Sequence, residues 1–451
     1  MEKGLVNKRR INQIWTLAWP LMLSQFLQTC LQLADTWFIN RIGITEATGA
    51  VGIGTSILEI FIVFSQLIAA GSIALIARSM GKKDEKDALV ITEQSLFLSL
   101  FFGTIIAIVC YVFREQLLSI FNDNKEMKDY AIVYLQFVIL GVPFMFFNLT
   151  GRAILQARGD SKTPMIIFVI MNIINVVLDP ILIFGLGSFE GLGFKGAAIA
   201  TATSNIVAFI FMALAIGKQL FDGKVSKIIR NFKISIHTVK RILKIGFFSA
   251  IQAVSRPITG FLMFKIASLS GAEAVSAFTI GGRMFNLVFI FLAGLDMAIS
   301  VLVGQNLGKK DIKEAENVVE DGLKLAIMNM IIFSIPYFVF PKFIMLLFES
   351  KNMEVVNIGV NYLRITYVGL IFVVFTIVLG GAFKGSGDTM PPMVSSLIAN
   401  WAFKLPFAYI LSQMLNVGSN GVWIAISLSV IIEALINRGW FKKGTWKYKK
   451  V

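Results

Sequence analysis

Asp179 stands in NVVLDPILIFG (175–185), followed at once by Pro180, with apolar residues on both sides from Met165 to Leu186. A carboxylate at such a depth is costly, and it is met where it faces a bundle interior or a water-filled path. Asn172, Asn175 and Asp179 are spaced i, i+3, i+7. At about 100° per residue they form one stripe on a helix. Gln25, Gln28, Gln32 and Asp35 form a second stripe, at i, i+3, i+7, i+10. Two such stripes point to a hydrophilic cavity shared by the two helices. Pro180 has no N–H, so the carbonyl of Val176 loses its helical partner and the helix is expected to bend there. Freed carbonyls beside a carboxylate and an amide are the ingredients of a monovalent-cation site. Burial penalises a charged carboxylate, so Asp35 and Asp179 can also take up a proton. One site that holds a proton, a sodium ion or an organic cation in turn has the physical core of an antiporter. The competing reading is interhelical glue, worth about 0.6–2 kcal/mol per contact. It suits a lone Asn or Gln better than an Asp within a stripe.

The elements that carry these stripes are membrane helices. Of 451 residues, 56% are hydrophobic and 15% charged, against roughly a quarter charged in soluble domains. The mean hydropathy is +0.75. Apolar runs near the ~20 residues that cross a bilayer predict about twelve spans. They cover 14–38, 48–77, 90–112, 130–153, 163–186, 196–217, 242–268, 275–304, 323–346, 356–381, 392–412 and 420–437. The termini and even-numbered loops hold 30 of the 42 Lys and Arg, the odd-numbered loops 7. That asymmetry puts both termini in the cytoplasm and assigns the net charge of +15 to anionic lipid rather than nucleic acid. MEKGLVNKRR reads as the cytosolic lead-in to an uncleaved first helix. Trp15, Trp19, Trp401, Trp423 and Trp440 fall near span ends, as interfacial tryptophans do. Cys30 and Cys110 lie in apolar runs and His237 is the only histidine. Zinc clusters and Ser-His triads therefore have almost no material, and no enzyme, cofactor or disulfide framework is expected.

The chain repeats itself. GKKDEKDA (81–88) recurs as GKKDIKEA (308–315), and GDSKTPM (159–165) as GDTMPPM (387–393). With nearly equal displacements, each half holds six spans that enter from the same side. That is a parallel repeat of the kind found in transporters that rock two bundles around a central site. The expected architecture is all-α, two six-helix lobes at 1–217 and 242–451 with a basic cytoplasmic linker at 218–241. The second half keeps Gln252, Ser255, Thr259 and Asn400 at the stripe positions but has Leu262 and Phe407 where the acids stood. It carries Arg256, Lys265, Arg283 and Lys404 in or near its spans, with Asp296 as a candidate partner. Cation coupling is therefore expected in the first half. Glu59, Arg283, Asp296, Arg364 and Glu433 read as ion pairs near helix ends.

WPLMLSQFLQTCLQLADTWFINRIG (19–43), ARGDSKTPM, NVVLDPILIFG and GFKGAAIATATS (193–204) resemble the multidrug and toxic compound extrusion (MATE) transporters, over essentially the whole chain. The resemblance implies twelve helices in two bundles and efflux of amphipathic, often cationic compounds against inward proton or sodium flow. It implies the cell membrane of a prokaryote, with a monomer and its lipids as the working unit. In the DinF-like branch a first-helix Asp and a fifth-helix Asn and Asp form the cation site, and these match Asp35, Asn175 and Asp179. A sixth-helix Thr matches Thr201. The NorM-like branch uses a seventh-helix Glu and a tenth-helix Asp. Here the seventh span has Gln252 and Arg256 and the tenth has no acid, so a sodium site in the second lobe is not implied.

Two rivals remain. A flippase or exporter of lipid-linked or polyanionic substrates would use Arg256, Arg283, Arg364 and Lys404 to hold phosphate; the paired carboxylates of the first half argue against it. A membrane enzyme is disfavoured by the scarcity of His and Cys. GLGSFEGLGFKG (185–196) follows a span on the outer side and reads as a tight connection without nucleotide chemistry.

Overall fold

The computed structural model describes residues 8–41, 45–119, 125–221, 232–349 and 351–451. The helices of the first half are α1 (Lys8–Asn40), α2 (Thr45–Ile62), α3 (Ser65–Lys82), α4 (Glu85–Val112), α5 (Arg114–Ser119), α6 (Lys125–Ala157), α7 (Lys162–Phe184) and α8 (Phe194–Leu220). Those of the second half are α9 (Ile236–Ser268), α10 (Ala272–Gly308), α11 (Ile312–Val339), α12 (Pro341–Phe348), α13 (Met353–Ser386), α14 (Met390–Met414) and α15 (Ser419–Lys443). Every predicted span falls on helical chain, the second and the ninth on two helices each. Nine described helices are long and apolar enough to cross a membrane. The first, second and seventh spans are not among them: α1 and α9 carry basic residues and polar stripes, and the second span is broken.

Three boundaries differ from expectation. The second span is two helices, α2 and α3, parted at Val63 and Phe64, with no proline or glycine to mark the break. The ninth ends at Val339, and Pro341 starts the separate α12, as suits a residue without an N–H. α14 is not a regular α-helix, since Ile398–Lys404 and Ile410–Met414 are π-helical. The glycine-rich connection after α7 forms a two-residue antiparallel ladder, Gly185–Leu186 with Phe189–Glu190.

The repeated motifs are start and stop signals. In GKKD the second Lys adopts positive φ, 60° at Lys83 and 64° at Lys310, which closes one helix. The Asp then caps the next: Asp84 Oδ1 accepts the Asp87 N–H at 3.0 Å, and Asp311 Oδ1 the Glu314 N–H at 2.9 Å, satisfying N–H groups that a helix start leaves open. In ARGDSKTPM, Gly159 (φ 97°) turns the chain. Asp160 then accepts N–H bonds from Lys162 (3.1 Å) and Thr163 (2.9 Å) and a bond from Gln219 (2.8 Å). Burial pushes this carboxyl up, but the Thr163 side chain and N–H, with Gln219 and Lys162, outweigh it and hold it below the usual carboxylate range. A lowered folded-state value means stability that is present above pH ~4 and lost as pH falls through the folded value. Asp160→Ala is expected to cost about 1 kcal/mol at neutral pH, as loss of a helix cap does. Melting curves from pH 7 to pH 3 should then converge with wild type at the acid end.

The chain forms two compact units, Leu23–Gly246 and Met1–Met22 with Phe247–Val451. α1 and α9 are thus each divided between units. In the first unit α6 is central and packs on α2, α3, α4 and α8, around a core that includes Ile57, Leu118, Leu135, Phe146 and Ala198. In the second, α13 packs on α10, α11 and α15, and Trp423 is fully buried in the core with Tyr362 and Met263. Trp423 is a core residue rather than the interfacial one its position suggested. Within the first unit, its own share of α9, which ends at Gly246, lies against α3 backbone to backbone. A Cβ on Gly71 would meet the Ile242 carbonyl oxygen at 2.3 Å, and one on Gly246 that of Leu67 at 1.6 Å. An acid from each copy of the motif helps secure the divided helices: Asp87 receives Arg241 at 3.2 Å, and Glu314, with Asp321 two turns further along α11, receives Arg10 at 3.1 and 2.6 Å.

Candidate functional site

α7 is an amphipathic helix turned inside out. Its buried face runs through Phe168, Asn172, Asn175, Asp179 and Ile183, while Ile166, Ile173, Val177 and Phe184 are exposed. The polar stripe faces the bundle because lipid offers it no hydrogen bonds. Asn175 and Asp179 are each only 1% exposed. Pro180 lies near the end of α7, which continues four residues further to Phe184.

Asp35, half-buried on α1, meets this face. Its side chain and that of Asp179 interact directly. Asn175 ties the group together: oriented by its neighbours, the amide Nδ2 donates to Asp35 Oδ1 at 3.1 Å, and its oxygen accepts the Thr201 N–H of α8 at 3.3 Å. Thr201 therefore joins through its backbone, and its hydroxyl donates to Ala197 O at 3.0 Å within α8. Neither oxygen of Asp179 has a hydrogen-bond donor among the described residues, and neither amide atom of Asn172 has a partner there. Two carboxylates in contact repel strongly in a low-dielectric interior. A bound proton or cation relieves that repulsion, and the orphaned oxygens of Asp179 are where it would be held.

Of the predicted residues, Asp35, Asn175, Asp179 and the backbone of Thr201 converge. Asn172 shares the face, Gln28 is half-buried on α1, and the side chain of Gln32 lies outside the described residues, as does that of Glu59. Tyr134 on α6 was missed. It is 4% exposed and near enough to feel both carboxylates. Nothing in the apolar run around it marks it out; only the packing of α6 does. A sodium ion here would find the two carboxylates, but the Asn175 oxygen is turned to Thr201 and would have to swing round to serve as a ligand. Among the described residues no group of three His, Cys, Asp or Glu could hold a metal ion.

In the second unit the charges pair differently from expectation. Asp296 on α10 binds Lys384 on α13 at 2.7 Å instead of Arg256, Lys265, Arg283 or Lys404. Glu433 faces Arg256 at 3.7 Å. Arg283, Arg364 and Lys265 are exposed and form no ion pair among the described residues, so the basic cluster a polyanion carrier would need is reduced to Arg256 and Lys404.

A model of the MatE family matches residues 20–181 and again 229–410, once in each half. The probable multidrug resistance protein NorM of Thermotoga maritima is 29% identical, over 96% of this chain and 93% of its own. A MATE family transporter solved in an outward-facing conformation is 26% identical and superposes with a TM-score of 0.89, covering 98% of this chain and 97% of that one. A MATE structure in a bent conformation is also 26% identical, with a TM-score of 0.89 over 96% and 95% of the two chains. The chain is a multi-pass α-helical membrane protein, and it belongs to the MatE family.

Proposed function

We propose that this protein is a multidrug efflux antiporter of the cell membrane, with both termini cytoplasmic. It exports small amphipathic organic cations in exchange for a proton by alternating access. The observation that carries the proposal is the contact of two carboxyl groups from different helices, Asp179 buried and Asp35 half-buried, with no ion pair to either among the described residues and the oxygens of Asp179 left without a donor there. Such a pair holds one positive charge well and two poorly, so proton and organic cation exclude one another. The Asn175 amide, which presents its NH2 to Asp35, suits a proton better than sodium, for which an oxygen would be needed. Pro180 leaves the Val176 carbonyl without its helical donor; the end of α7 can bend there as the occupant of Asp179 changes. Relatives named for multidrug resistance and MATE structures in outward-facing and bent forms support the assignment.

The test is dye efflux from proteoliposomes loaded with a fluorescent organic cation, under an imposed proton gradient and then a sodium gradient. The expected result is export driven by the proton gradient. Export driven by sodium alone would make sodium the coupling ion, and export by neither would remove the antiporter reading.

A further inference from the structure

The second unit contains a cavity of about 440 Å³, within the range that holds a drug-sized molecule. Its wall changes character along its length. One end is aromatic: Phe278, Phe285 and Tyr362 line it. Behind them Trp423 stacks on Phe278 at 5.7 Å and meets Tyr362 edge-on at 4.7 Å. The other end is charged, with Arg256 from α9, Asn400 and Lys404 from the first π-helical stretch of α14, and Glu433 from α15. Helical register keeps the ends apart, since Arg256 lies seven residues before Met263 on α9 and Glu433 seven after Ile426 on α15.

The charges do not balance. Two cations face one acid, and Lys404 is close enough to interact with both Arg256 and Glu433. Arg256 and Glu433 stand 3.7 Å apart, beyond a good hydrogen bond. Glu433 is 7% exposed, and its Oε1 has no hydrogen-bond donor among the described residues. Lys404 spends one proton on Asn400 Oδ1 at 3.0 Å, and Arg256 makes no side-chain hydrogen bond among the described residues. The Arg256 guanidinium, on a side chain 52% exposed, is therefore unspent where the cavity opens, and most of the half-buried Lys404 ammonium is unspent further in, where excess charge is costly. An incoming anion would relieve that cost and receive charge-assisted hydrogen bonds. The π-helical stretch also fits such a role: its wider turn re-aims Asn400 and Lys404 relative to the α-helix before it, and such distortions recur at functional sites.

We propose that this cavity is a second binding site, which takes amphipathic molecules through a carboxylate-like head group held between Arg256 and Lys404, with the apolar body against Phe278 and Tyr362. Glu433 is the internal counter-charge that competes with the ligand. The polarity is opposite to that of the Asp35–Asp179 group, so the protein would carry sites for both signs of amphiphile. This does not rest on the exchange reaction and is read without a gradient.

The experiment is fluorescence titration of the purified full chain in detergent with two probes of nearly the same shape, dansylglycine and its uncharged amide, corrected against protein-free micelles. Wild type is expected to bind the carboxylate at least about tenfold more tightly, a difference of about 1.4 kcal/mol. Lys404→Met is expected to bring the two probes within about twofold. Glu433→Gln is expected to act in the opposite direction, tightening dansylglycine and leaving the amide unchanged, a gain that misfolding cannot imitate. Equal affinities in wild type, a preference that survives Lys404→Met, or weaker dansylglycine binding in Glu433→Gln would each overturn the proposal.

Discussion

Asp35→Asn and Asp179→Asn, each alone, are expected to cut proton-driven dye export on the order of 100-fold, about 2.8 kcal/mol at 1.4 kcal/mol per decade. The double variant is expected to be no worse than either. The reason is that the two carboxyl groups interact directly and act on one positive charge together; groups that work as a unit lose their effect with the first member removed. Asn175→Ala leaves both acids in place and removes the 3.1 Å bond to Asp35 together with the 3.3 Å bond from the Thr201 N–H; only the first touches a charged group, so the loss of export is expected to be nearer tenfold, the size of one such hydrogen bond, about 1.5 kcal/mol. Initial rates per folded transporter, normalised by the monodisperse fraction on size exclusion, make the comparison. Glue would behave otherwise: small, additive losses of stability with export preserved.

Gly246→Ala is expected to be the most damaging small substitution in the first unit. The added Cβ would lie 1.6 Å from the Leu67 carbonyl oxygen and 2.5 Å from its carbon. Both partners are helical backbone, so neither can rotate away, and α9 must part from α3. A cost on the order of 3–5 kcal/mol follows from losing such a packed crossing. The check is the yield and melting temperature of the purified variant beside Gly439→Ala. Gly439 has nothing within 4 Å of its Cβ position, and the same methyl there is expected to be neutral or to stabilise by about 0.5–1 kcal/mol through helix propensity. Equal behaviour of the two variants would sink the argument from close approach.

What could be read in advance followed from local rules. The stripe of Asn172, Asn175 and Asp179 obeys helical spacing, and α7 does bury that face. GKKD reads as a stop and a start because Lys and Asp there act on their own backbone, and both copies do so. What could not be read depends on partners distant in sequence. Tyr134 sits by the carboxylates because of how α6 packs. Asp296 chose Lys384, 88 residues on, where charge counting alone offered four other cations. Trp423 was placed at an interface by its position near a span end, but a neighbouring aromatic cluster takes it into the core. The break between α2 and α3 carries no residue that announces it; in α14, Pro406 stands between the two π-helical stretches and marks an irregular helix without saying which kind.

The division of α1 and α9 between the two units bears on the order in which the chain is made. The opening turns of α1 belong to a unit whose other part begins at Phe247. Arg10 must wait for Glu314 and Asp321 to leave the ribosome before it can pair with them. The first unit also lacks its last piece until Gly246 has been made. Nascent chains of this protein therefore carry Arg10 without Glu314 and Asp321 through more than half of their synthesis. Neither half, cut at the connection between α8 and α9, can complete itself without the other's opening turns.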